Sequence, residues 1–154
     1  FPENMKEPYA MPRASSTPRA AGLPVEAEIN VSRLRLRTFI GFNEEERRKK
    51  QDVVIDLMIR YRLRDGVFED QVADALDYKV VTKAVIDLVE NGRFLLLEKL
   101  VADILAVCSE HPDVTFSRVT VDKPHALRFA DSVSLTLDYW PEQAGSMRLL
   151  EKAS

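Results

Sequence analysis

Hydrophobic and polar positions change period twice along the chain. From Glu28, the apolar residues Ile29, Val31, Leu34 and Leu36 are interleaved with Arg33, Arg35 and Arg37. That alternation predicts a strand with one slip near Ser32, read as a bulge, ending at Gly41. Asn43–Lys50, acidic then basic, is expected to be a solvated loop. Residues 51–63 alternate again, with Val53, Ile55, Leu57, Ile59 and Tyr61 on one face of a second strand. A polar connection over 64–76 follows, and the period then becomes helical. Val80, Val81, Ala84, Val85, Leu88 and Val89 share one face, Asp77 is placed to cap the start, and Gly92 fits the position after the end. A second helix carries Leu96, Leu97, Leu100, Val101, Ile104, Leu105 and Cys108 on one side and stops at His111-Pro112. Strands are expected again over 114–123 and 130–139. The order ββααββ predicts an α+β fold, a four-stranded antiparallel sheet with two helices packed on one face. The first and last strands are the expected open edges, and an open edge invites pairing with a second copy. A homo-oligomer sharing a continuous sheet is therefore expected.

The flanks do not share this patterning. Residues 1–27 hold five of the eight prolines and the run Ala14-Ser15-Ser16-Thr17, which builds no core and reads as an irregular arm. The start, Phe1-Pro2-Glu3-Asn4-Met5, resembles neither a signal peptide nor a natural initiation and is expected to be an expression remnant or part of that arm. The tail over 141–154 is expected to be irregular, with a helical turn near Met147–Lys152. One domain over 28–140 remains, a normal size for a single core. The net charge of −3 gives no reason to expect a nucleic-acid partner, and no apolar run approaches the roughly 20 residues of a membrane span. A single cysteine, Cys108, forbids an internal disulfide and fits a reducing, cytoplasmic setting; on its apolar helix face it reads as core filler rather than nucleophile.

Several chemistries lack their residues. His111 and His125 are the two histidines, in no metal-binding spacing, and with one cysteine they assemble no zinc-type ligand set, so neither metal nor cofactor is expected. There is no Gly-rich phosphate loop and no nucleophile elbow. What remains is Lys123, at a strand end against Pro124, and a set of carboxylates. Glu98 falls in the first turn of the second helix, where the helix N-terminus favours its ionised form. An ionised carboxylate there can take paired donors from an amidine- or guanidine-like edge, or simply be a surface glutamate. Taken alone, Lys123 is more often a solvated strand end than a positioned proton carrier, and Tyr78 more often a packing residue than part of a site.

Four segments taken together resemble a known family. They are Leu36-Arg37-Thr38-Phe39-Ile40-Gly41 with Glu44-Glu45-Glu46; Ala75-Leu76-Asp77-Tyr78; Glu90-Asn91-Gly92-Arg93-Phe94 leading into Leu97-Glu98-Lys99; and Asp122–Val133. Residues 28–140 are similar to the dihydroneopterin aldolase family of folate biosynthesis. His125-Ala126-Leu127-Arg128 and Ala130-Asp131-Ser132-Val133-Ser134 look closest to its dihydroneopterin triphosphate 2′-epimerase branch. The resemblance implies the tunnelling fold, in which four subunits close a barrel, two rings stack into an octamer, and sites lie between subunits. It implies that Glu98, with Leu97, anchors a pterin ring. Lys123 would be the catalytic lysine, Tyr78 would come across the interface, and Glu46 would lie near the reacting side chain. For a triphosphate, His125 and Arg128 are the candidate contacts, by nearness to Lys123. The implied reaction is metal-free C2′ epimerisation of dihydroneopterin triphosphate. The alternatives are aldol cleavage of dihydroneopterin, and a non-catalytic pterin- or purine-binding oligomer.

Overall fold

The structure is a computed structural model, and it describes residues 25–141. The expected arm over 1–27, apart from its last three residues, and the expected helical turn near 147–152 lie outside the described residues. The elements are β1 (Glu26–Ile40), α1 (Glu44–Arg48), β2 (Gln51–Arg62), two short 3-10 helices (Asp65–Glu69 and Val72–Asp74), α2 (Tyr78–Glu90), β3 (Arg93–Phe94), α3 (Leu97–Cys108), β4 (Val114–Pro124) and β5 (Ser132–Tyr139). Two compact units divide them. Residues 28–61 with the described chain from 76 onward make the larger, and 62–75 with the described residues 25–27 make the smaller.

In the larger unit the sheet has five strands, in the order β3-β1-β2-β4-β5. This corrects the expected four-stranded antiparallel sheet. The added strand is the two-residue β3, which pairs in parallel with the end of β1, Phe39 opposite Arg93 and Ile40 opposite Phe94. Two residues are too few to display a period of two, so the strand leaves no trace in the hydrophobic pattern. Two further pairings are antiparallel: β2 runs against β4 from Val54↔Asp122 to Tyr61↔Val114, and β4 against β5 from Ser117↔Tyr139 to Pro124↔Ser132. β5 is an open edge, and β3 covers only the last residues of β1.

The alternation in the strands decides which face is core. Val53, Ile55, Leu57 and Ile59 of β2 and Val119 and Val121 of β4 are buried to 2% exposure or less. They pack with Val85 and Val89 of α2 and Leu100, Val101, Ile104 and Cys108 of α3. The opposite sheet face carries ion pairs and hydroxyls: Arg118 with Asp138 at 2.7 Å, Arg60 with Glu28 at 3.1 Å, and Thr120 with Thr136 at 2.7 Å. The slip predicted near Ser32 appears at Arg33, whose φ of 56° is left-handed. Its backbone N–H donates to Asp56 Oδ1 at 2.7 Å and its guanidinium to Asp122 at 2.9 Å, contacts that hold a conformation most residues avoid. Thr38 is fully buried, and its hydroxyl donates to the Gly92 carbonyl at 3.3 Å. Thr38→Val keeps the shape and removes that bond. It is expected to lower stability by about 1 kcal/mol, read as a lower denaturant midpoint at unchanged slope.

The helices follow their local signals. Asp77 caps α2 by accepting from the N–H groups of Lys79 and Val80. The run expected as a loop over 43–50 instead contains α1. Asn43 Oδ1 accepts from Glu46 N at 2.8 Å while the Glu46 carboxylate accepts from Asn43 N at 3.4 Å, a reciprocal capping box. Glu44, Glu45 and Glu46 in its first turn and Arg47 and Arg48 in its last match the helix dipole, so the charge run stabilises the helix it was expected to exclude. In the smaller unit, Leu63 N donates to the Val25 carbonyl at 2.8 Å, and Asp70 turns through a left-handed φ of 63° after the first 3-10 helix. Among the described residues no helix is long and apolar enough to cross a membrane.

Candidate active site

β1, α1, the β3–α3 connection and the end of β4 converge on an open pocket of about 240 Å³ in the larger unit. Its wall includes Gly41 and Phe42, Glu46, Leu95 to Glu98, Lys123, Ala126 and Val133. Lys123 arrives on β4, one residue before the strand's last ladder position, where Pro124 has no N–H to continue the pairing. Its side chain is only 12% exposed. Lys123 Nζ donates to Glu46 Oε2 at 2.7 Å. The charged neighbour of the lysine is therefore an anion.

Glu46 is held from several sides. Besides Lys123 it accepts from the Asn43 backbone and from the Gln51 side chain, which also donates to the Ile40 carbonyl. Gly41 makes room for it. With φ at 123°, it occupies backbone space that favours glycine, and a Cβ there would lie 2.1 Å from Glu46 Oε1. The Gly41 N–H donates to the Phe94 carbonyl at 2.9 Å. The lysine ammonium holds the Glu46 carboxyl below the usual carboxylate value; burial opposes it as the next largest effect, and the Asn43 backbone and Gln51 donors lower it by lesser amounts. A depressed carboxyl contributes stability above its unfolded value of 4.5 and loses it as pH falls through the lower folded value. Thermal melts taken from about pH 7 down to about pH 3 are expected to show a downward step that Glu46→Gln reduces.

Glu98 stands in the first turn of α3 and lines the same pocket, with Leu97 beside it. The structure thus brings Glu46, Leu97, Glu98 and Lys123 together within one chain. Tyr78, first residue of α2, is half exposed and lies outside the pocket wall. His125 and Arg128 also lie outside it. His125 takes a left-handed φ of 66° that turns the chain after β4, so that Ala126 joins the wall, and the Arg128 guanidinium lies 5.6 Å from the Phe129 ring centre. Cys108 is buried in the core, its thiol pushed up to about 12 by burial, which leaves no thiolate for chemistry. Gln51 and Asn43 are contacts that sequence reading missed. Gln51 was absorbed into a strand start, whereas Asn43 and Glu46 carry the three-residue spacing of a capping box.

The arrangement offers a lysine for moving a proton, a carboxylate as its counter-ion, and a second carboxylate open to paired donors. The family model for dihydroneopterin aldolase (FolB) matches residues 29–138. The dihydroneopterin triphosphate 2′-epimerase of Pseudomonas aeruginosa is 53% identical over 114 residues, covering 74% of this chain and 93% of that protein. The Escherichia coli K12 protein of the same name is 50% identical, covering 73% of this chain and 94% of its own length. Among solved structures, E. coli dihydroneopterin aldolase in complex with neopterin aligns with a TM-score of 0.68 at 25% identity, over 73% of this chain and 98% of that one.

Proposed function

This chain belongs to the dihydroneopterin aldolase family, and we propose that it inverts C2′ of 7,8-dihydroneopterin triphosphate. The observation that carries the reading is the Lys123–Glu46 contact at 2.7 Å in a pocket that also holds Glu98. The relatives of about half identity that are named as epimerases support the triphosphate branch over the general aldolase.

A dihydropterin contains its own electron sink, the C6=N5 imine beside the hydroxylated side chain. Removal of the 2′-hydroxyl proton lets the C2′–O electrons form a carbonyl. The C1′–C2′ bond breaks, and its electron pair moves into the imine to give an enamine with N5 as the negative end. The aldehyde fragment then rotates and re-adds through its other face. C1′–C2′ forms again, the proton returns to the new 2′-alkoxide, and C2′ is inverted. Release of the fragment, with a proton delivered to C1′, is aldol cleavage instead. Lys123 moves the proton, directly or through one water, with Glu46 as its counter-ion. Glu98 accepts the two donors of the 2-amino-4-oxo edge, and Leu97 lines the pocket beside it. Tyr78, exposed and outside the pocket wall of its own chain, orients a hydroxyl from a neighbouring subunit. A pocket of about 240 Å³ in one chain is below the roughly 300–1,000 Å³ of typical ligand sites, and the open β1 and β5 edges suit closure by further copies. The assembly we propose is the tetrameric ring of the tunnelling fold, stacked as an octamer, working without a metal or cofactor in the cytoplasm.

The test is product analysis. Incubation with dihydroneopterin triphosphate is expected to give the C2′ epimer faster than 6-hydroxymethyl-dihydropterin. The converse ratio on unphosphorylated dihydroneopterin would favour the aldolase reading, which the neopterin-bound structural neighbour supports. Binding without turnover would leave a pterin-binding oligomer. His125 and Arg128 remain the proposed triphosphate contacts. Arg128→Ala is expected to lower activity on the triphosphate about tenfold relative to dihydroneopterin, and an unchanged ratio removes Arg128 from that role.

A further inference from the structure

Glu46 does two jobs with one carboxylate. Oε1 closes the capping box at the start of α1 through the Asn43 N–H at 3.4 Å, and Oε2 receives the Lys123 ammonium at 2.7 Å. Asn43 completes the loop from its side, since its Oδ1 accepts from the Glu46 backbone N–H at 2.8 Å. The residue that caps the helix therefore fixes both the main chain and the side chain of the lysine's partner. Resting on the reading of Glu46 and Lys123 as members of the site, we propose that Asn43 is a positioning residue, setting through the capping box the point at which Glu46 meets Lys123.

The geometry separates this from ordinary helix stabilisation. α1 has five residues and buries none of them, so its cap contributes little to the core. Its third residue, in contrast, supplies a carboxylate to the pocket wall. On the other side of Glu46, Gly41 has no Cβ to limit it, so the cap is the restraint at the helix start that acts beside the Lys123 and Gln51 contacts. Loss of the Asn43 side chain frees the first turn. It is also expected to lengthen the Asn43 N–H bond to Glu46, one of the lesser contributions that keep the carboxyl depressed. Lys123 and Glu98 are the charged groups that share the pocket wall with it.

The experiment compares full-length Asn43→Ala, Asn43→Ser and Arg48→Gly with wild type by two readouts. The first is carbon-13 NMR titration of the Glu46 carboxyl, identified by its absence in Glu46→Gln, which needs no substrate. The second is steady-state turnover of dihydroneopterin triphosphate. Asn43→Ala is expected to raise the Glu46 midpoint and lower kcat about tenfold with KM within about twofold, and Asn43→Ser, which retains an N-cap acceptor, is expected to restore both. Arg48→Gly weakens α1 without touching the cap and is expected to leave both unchanged. An Asn43→Ala protein with wild-type midpoint and kcat overturns the proposal, as does an Arg48→Gly protein that loses as much activity as Asn43→Ala. If wild type turns over no substrate but the midpoint moves as expected, the positioning stands and the enzymatic reading falls.

Discussion

Lys123→Ala is expected to lower kcat by about a thousandfold with substrate binding largely kept. A positioned proton carrier is typically worth 10²–10⁴ in rate, and among the described residues no other lysine lines the pocket to replace it. The side chain is 12% exposed and its nitrogen is 2.7 Å from Glu46, so the substitution also leaves a carboxylate facing the pocket without its ammonium. That second effect is separable. Lys123→Ala combined with Glu46→Gln removes the stranded charge, and any loss of thermal stability in the single variant is expected to be partly regained in the double one, while turnover stays low. Measurement of kcat, KM and melting temperature for wild type and the two variants tells the two effects apart. Turnover unchanged in Lys123→Ala would leave the pocket a binding site only.

Glu98→Ala is expected to act on binding first. A carboxylate taking two charge-assisted bonds from a ring edge is worth about 3 kcal/mol, so KM or the dissociation constant for a pterin is expected to rise roughly a hundredfold. The exposed position of Glu98 at the start of α3 argues that the helix tolerates the change, since among the described residues its side chain makes no hydrogen bond or ion pair that would be broken. A calorimetric titration with neopterin checks the prediction without depending on turnover. A loss in kcat alone, with the dissociation constant unmoved, would place Glu98 nearer the reacting carbon than the ring edge.

How far the sequence could be read depended on the length of each signal. Long periodic segments were legible: α2 and α3 form where their period places them and bury Val85, Val89, Leu100, Val101 and Ile104, although Val80, Ala84 and Leu96, expected on those faces, are exposed, and β2, β4 and β5 alternate as their residues do. The parallel strand β3 was not, because two residues carry no period and its partner lies more than fifty positions earlier. α1 was misread for a different reason. Asn43–Lys50 has no apolar face, so hydrophobic patterning sees only charge. The evidence for a helix lay in capping chemistry, in Asn43 followed three residues later by Glu46. Lys123 and Glu98 were legible as candidates, but their convergence on one pocket depends on pairings between distant strands. The contact between Lys123 and Glu46, 77 positions apart, is of that kind.

The two-residue strand β3 carries a consequence out of proportion to its size. Its Phe94 carbonyl holds the Gly41 N–H, beside which Glu46 sits, and three residues later the same strand has led into Leu97 and Glu98. One short rung therefore acts as a gauge block between the two ends of the pocket. It sets the span from the carboxylate that would grip a flat ring to the amine that would reach the side chain. Inserting or deleting a single residue between Gly92 and Leu97 would reset that span while leaving both groups chemically intact. On the proposed reading of the site, the spacing between its two ends would then be set by backbone length as well as by the side chains that line it.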